Sequence, residues 1–187
     1  MLALAQVRSR PISMRGTREI SAFIALLFGY VIQTSVIARL NLPMGGPNLV
    51  LVLFLVWALR HEAITAALVG FVVGLLLDLA PPGGSTVGVW MIVLTAVGYG
   101  VGSIAANNSD FRDSPVIAWL AVVAGLAFIF VGRFIIGISV GEAQLNFFAL
   151  FKLLVGGLLW NSLLAPVALW FSKWMYATLS EQSDALR

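Results

Sequence analysis

A single carboxyl group closes the apolar stretch Gly70-Phe71-Val72-Val73-Gly74-Leu75-Leu76-Leu77-Asp78. An acidic side chain at the centre of a membrane helix costs about 2.5–3.5 kcal/mol, so one in such a stretch calls for an explanation. Gly70, Gly74 and Asp78 are four residues apart, which places them within an arc of about 80° on one helix face. Two positions without side chains let a second helix approach closely, and the carboxyl on the same face then points into a bundle rather than at lipid. The face reads as a helix-packing or partner-docking surface.

The other polar residues offer little chemistry. His61 is the one histidine, beside Arg60 and Glu62 in a short charged turn, and reads as an exposed turn residue. A lone intramembrane Asp, with no second carboxylate or histidine beside it, does not make a protease. Gly83-Gly84-Ser85-Thr86 lacks the Lys and the strand–helix setting of a phosphate loop. The chain has no cysteine, so it has neither disulfides nor thiolate ligands. We expect no catalytic centre, metal or cofactor. Gly98-Tyr99-Gly100-Val101-Gly102 repeats the four-residue glycine spacing and reads as tight helix packing. Asn161 is expected to hydrogen-bond a neighbouring helix, and Pro166 to kink its own.

These residues must be held by membrane helices. Apolar residues make up 60% of the chain and charged residues 10%, with a mean hydropathy of +1.01. Soluble domains average about 45–50% and about 25%, so this is an all-α integral membrane protein. The pI near 9.8 does not argue for nucleic acid, because the net charge is only +3 and the cations are divided among several loops. Apolar runs cover 20–38, 48–59, 63–79, 87–106, 116–138 and 147–171, separated by turn-forming or charged clusters. The first run exceeds a signal-peptide core and no convincing cleavage site follows it, so it reads as a retained span. Met14 is an alternative start to Met1.

The second run is the short one, since twelve residues rise about 18 Å against a hydrocarbon core near 30 Å. Charge placement argues that it crosses all the same. With six spans and both termini inside, Arg8, Arg10, Arg15, Arg18, Arg60, Arg112, Lys173 and Arg187 lie in the cytoplasm, and only Arg39 lies in an outer loop. Without the second span, Arg39, Arg60, Arg112, Lys173 and Arg187 would all lie outside, against the positive-inside rule. The expected organisation is a basic cytoplasmic segment over 1–19, a six-helix transmembrane domain over 20–176 and a cytoplasmic tail over 177–187. In that topology Asp78, Arg133 and Lys152 form an outer-leaflet charge cluster, at the depth of Gln33, Thr34 and Ser35. The sequence predicts that Asp78 pairs with Arg133, and that Lys152 snorkels to the headgroups.

Pro47 opening the second span, Gly70-x-x-x-Gly74-Leu75-x-x-Asp78 ending the third, Gly88 opening the fourth and Gly98-Tyr99 within it together resemble the MreD family of bacterial rod shape-determining membrane proteins. The core of the resemblance spans about 47–102. It implies a non-enzymatic, multi-pass subunit of the cell-elongation complex in the bacterial plasma membrane. The implied partners are MreC, which has one span and an extracellular domain, and less directly the MreB filament and the RodA/penicillin-binding protein synthase. It also implies a fold similar to the substrate-binding subunits of energy-coupling-factor vitamin transporters. That similarity supplies the alternative function, in which the outer polar cluster binds a small vitamin-like molecule and the protein pairs with an ATPase module.

Overall fold

A computed structural model of the chain describes residues 12–35, 39, 46–79, 86–108, 114–141 and 147–185. Six helices make up these parts: α1 (Ile12–Ser35), α2 (Leu49–Ala58), α3 (Ala63–Asp78), α4 (Val89–Asn107), α5 (Pro115–Ser139) and α6 (Phe147–Ala185). No strand occurs among the described residues. The turns at 43–45, 80–85, 109–113 and 142–146, and Arg8, Arg10, Arg112 and Arg187, lie outside them.

Three segments are long and apolar enough to cross a membrane: α4, α5 and Leu154–Met175 within α6. The segment Ile24–Ser35 of α1, together with α2 and α3, is apolar but shorter. Large apolar side chains point outward around the bundle, Ile64, Leu68, Phe128, Leu163 and Trp170 among them, while Asp78, Asn161 and Ser172 are buried. Apolar residues outside and polar ones inside suit a hydrocarbon solvent, and the chain is a membrane protein.

Helix α2 stands at the centre. It is about 15 Å long by its ten residues. All of them but Leu49 and Leu53 are buried, and it packs against each of the other five helices. A helix apolar on every side has no face for water and settles in a core. Phe54, Leu51 and Leu55 of α2 meet Leu94 of α4 and Leu126 and Ile129 of α5 in that core.

Two helices extend beyond the apolar runs read in the sequence. Helix α1 begins at Ile12, inside the basic segment, and α6 continues to Ala185, through the expected tail. Arg, Met, Glu, Gln and Leu propagate a helix at little cost, so loss of hydrophobicity alone does not end one. Pro166 lies within α6, which continues on both sides of it. Trp119 of α5 donates its indole N–H to the Ser162 carbonyl of α6 at 3.0 Å, joining the last two helices.

Candidate functional site at the α3–α4 seam

Helices α3 and α4 run antiparallel in backbone contact. A Cβ added at Gly70 would collide with the Leu94 carbonyl, and one at Gly74 with the Met91 backbone. From the other side, a Cβ at Gly98 would lie 2.5 Å from the Ala66 carbonyl oxygen, and one at Gly102 2.8 Å from the Ala63 Cα. Each helical turn on α3 thus meets one turn on α4, with α4 supplying the glycine at the Ala63 and Ala66 steps and α3 supplying it at the Leu94 and Met91 steps nearer Asp78. Phe54 of α2 closes the seam from the core side, its ring within 3.1 Å of the Cβ positions of both Gly70 and Gly98. Gly70, Gly74 and Gly98 all face inward to this contact, whereas Tyr99 is turned away and is 56% exposed.

Asp78 ends the seam. It is 4% exposed, and both of its oxygens accept backbone N–H groups from the start of α4. Oδ2 accepts from Gly88 at 2.9 Å and Met91 at 3.1 Å, and Oδ1 accepts from Trp90 at 3.2 Å. The first N–H groups of a helix lack intrahelical partners and are usually met by a Ser, Thr, Asp or Asn at the cap. Here the cap residue is Gly88, which has no side chain and adopts φ 103°. Asp78 supplies the missing acceptor from the end of the neighbouring helix, where the positive end of the α4 dipole also favours it. Val89 N–H donates to the Thr86 carbonyl and Ile92 N–H to the Gly88 carbonyl, so every amide from 88 to 92 has an acceptor.

The expected Asp78–Arg133 pair is therefore not what the structure holds. Asp78 spends its acceptors on α4, and the Arg133 guanidinium lies over the Trp90 ring, 5.5 Å from its centroid. A three-donor backbone pocket at a helix N-terminus satisfies a carboxyl as well as a guanidinium does, without fixing a long side chain. Trp90 links the two residues, giving its amide to Asp78 and its ring face to Arg133. Lys152 is exposed on α6 and is not a partner of Asp78.

The N-terminus of α2 is built in the same way. Gln33 of α1 donates its amide N–H to the Pro47 carbonyl at 3.1 Å and accepts from Leu49 N–H at 2.8 Å. Asn161 of α6, fully buried, accepts from Asn48 N–H at 2.7 Å and donates to its own helix at the Gly157 carbonyl, 2.6 Å away. Asn48 caps Leu51 N–H with its own side chain. Asn161 thus bonds the backbone just ahead of a helix, and Asn48 joins a site at which the sequence reading had placed only Pro47. Its signal was an Asn followed at once by an apolar run. His61 is half-buried rather than exposed: its ring stacks on Trp57 at 3.7 Å, with Nδ1 2.9 Å from the Trp57 carbonyl oxygen.

The seam, its capping carboxyl and the positions Pro47, Gly88 and Gly98 all fall within residues 14–179, which match the family described as rod shape-determining protein MreD. The chain belongs to the MreD family. Comparison with curated proteins and with solved structures gave no match. In this MreD chain Asp78, Gln33 and Asn161 bond the backbone at helix starts. Among the described residues no group of three His, Cys, Asp or Glu is arranged to hold a metal ion.

Proposed function

We propose that this MreD-family chain is a non-enzymatic scaffold subunit of the cell-elongation complex in the bacterial plasma membrane, linking cytoskeletal filaments to peptidoglycan synthesis. All six helices cross the bilayer with both termini cytoplasmic, over a transmembrane domain spanning 20–176. The ten residues of α2 suffice because its neighbours, rather than lipid, surround it. Its direct partner is an MreC-like single-span protein, with an MreB-like filament and a RodA/penicillin-binding protein synthase reached through it.

The observation that carries this reading, beside the family, is the use made of three polar side chains within the bundle. Asp78 and Asn161, both buried, and the half-buried Gln33 hydrogen-bond backbone at the starts of α4 and α2. Side chains committed in this way make a rigid body with a fixed outer surface, which is what a scaffold offers its partners. No observation favours the alternative, a vitamin-binding transporter subunit.

The test is a mild-detergent pull-down of the tagged protein from its host, with partners identified by mass spectrometry. Recovery of a single-span MreC-like protein and a wall synthase is expected. Recovery of an ATPase module with its coupling subunit would overturn the proposal.

A further inference from the structure

Among the described residues, a single buried side-chain nitrogen has no hydrogen-bond partner: Nε1 of Trp57, in the last turn of α2. Trp57 is 7% exposed. His61 does not supply the acceptor. Its ring stacks on the face of the indole at 3.7 Å and 15°, whereas an indole N–H points outward in the plane of the ring, and its Nδ1 is engaged with the Trp57 carbonyl. The indole borders a small recess between α1, α2 and α6, walled also by Leu26, Val56, Ala168 and Met175. Ser172 of α6 borders the same recess, is likewise 7% exposed, and carries its one hydroxyl.

The recess leaves about 30 Å3 for the centres of water-sized spheres. About 10–15 Å3 of such space holds one water. An apolar hole of this size would stay dry, but here an indole donor and a hydroxyl stand on two of the three helices around it. Hydrocarbon in the recess would leave the N–H without an acceptor, whereas a water-mediated bond is nearly as favourable as a direct one. Polar surroundings are close: Lys173, next to Ser172, is exposed, and Met175 is the last residue of the apolar segment of α6. Trp119 makes the same kind of link directly. Pro166 has no N–H for the carbonyl four residues before it, Ser162, and the Trp119 indole takes that place. Ser172, beside Trp57, lies about 15 Å further along α6.

We propose that this recess is a binding site for one water molecule, which accepts a hydrogen bond from Trp57 Nε1–H and donates one to Ser172 Oγ. The water joins the end of α2 to the C-terminal half of α6, as Trp119 joins α5 to the middle of it. The site goes beyond the scaffold role and does not depend on which proteins the chain assembles with.

The test is nuclear magnetic resonance on the full-length protein in detergent micelles, with the tryptophan rings labelled with nitrogen-15 and the Trp57 indole signal assigned by its loss in Trp57→Phe. Wild type is expected to show a rotating-frame Overhauser cross-peak between the Trp57 indole proton and water, opposite in sign to one produced by proton exchange. Ser172→Ala is expected to lose it. Ala25 also borders the recess, so Ala25→Leu fills the space while leaving both hydrogen-bonding groups in place, and Ala168→Val does so from α6. Whichever of the two unfolds like wild type is expected to lose the cross-peak as well. Wild type without the cross-peak, or with one of the exchange sign, would overturn the proposal. So would a cross-peak that survives in a folded recess-filling variant but not in Ser172→Ala, because the Ser172 hydroxyl would then be bonded to the indole directly.

Discussion

Asp78→Ala removes the acceptor for three amides at once and should destabilise the bundle more than any other single polar truncation. At a solvent-exposed helix start, losing a cap costs about 0.5–2 kcal/mol, because water replaces it. Asp78 is 4% exposed, so little water can reach the vacated position. Each buried donor left unsatisfied costs about 1–3 kcal/mol. Trp90 is half-exposed and partly recovers, which leaves a net loss of about 3–5 kcal/mol. Asp78→Asn keeps one oxygen. Placed at the Oδ2 position, that oxygen still accepts from Gly88 and Met91, while the new NH2 group opposes Trp90 N–H, for a loss of about 1–2 kcal/mol. The cation–π contact of Arg133 contributes only about 0.5–1 kcal/mol. Thermal unfolding in detergent, followed by tryptophan fluorescence, should rank Asp78→Ala well below Asp78→Asn, with Arg133→Ala nearest to wild type. The exchange Asp78→Arg with Arg133→Asp should rescue neither single variant. A rescue, or an Arg133→Ala variant as unstable as Asp78→Ala, would refute the capping argument and restore the ion pair.

The same unfolding assay reads three further substitutions. Gly74→Ala should cost about 1–3 kcal/mol, because its Cβ meets Met91 backbone, and Gly74→Leu should abolish a cooperative transition; Gly100→Ala, facing open space, should instead gain up to about 1 kcal/mol from helix propensity. Asn161→Ala should cost about 1–3 kcal/mol by leaving Asn48 N–H without an acceptor. Gly88→Ala should cost about 1–2 kcal/mol through its positive φ alone, with Gly88→Asn milder and Gly88→Val worse, since nothing crowds the added Cβ.

The spacing of Gly70, Gly74 and Asp78 was enough to define one face and to aim it inward, because helix geometry fixes which residues share a side. The surface it would meet was not legible. Gly98 and Gly102 announced a second close-packing face, but nothing local to either helix shows that the two faces interlock at one-turn steps. The partner of Asp78 was misread for a similar reason. A charge partner is a residue type and can be searched for by name, whereas backbone N–H groups belong to every residue and leave no mark in a sequence. The useful sign was Gly88, which begins an apolar helix without a side chain to cap it. The short run before Arg60 was a weak candidate span by length, and its place at the centre of the bundle follows from tertiary packing that no window of sequence contains.

The seam between α3 and α4 also has a mechanical meaning. Side chains between packed helices act as a deformable layer that adjusts by changing rotamers, and here that layer is missing: carbonyl and Cα atoms bear directly on the glycine positions. Pinned at its Asp78 end by three bonds to one carboxyl, the hairpin resists sliding and hinging along its length. The compliance of the molecule is concentrated on the opposite side of α4, where small residues line an open groove against α5. A displacement applied at one end of the hairpin is therefore expected to move α3 and α4 together and to be taken up at the α4–α5 boundary.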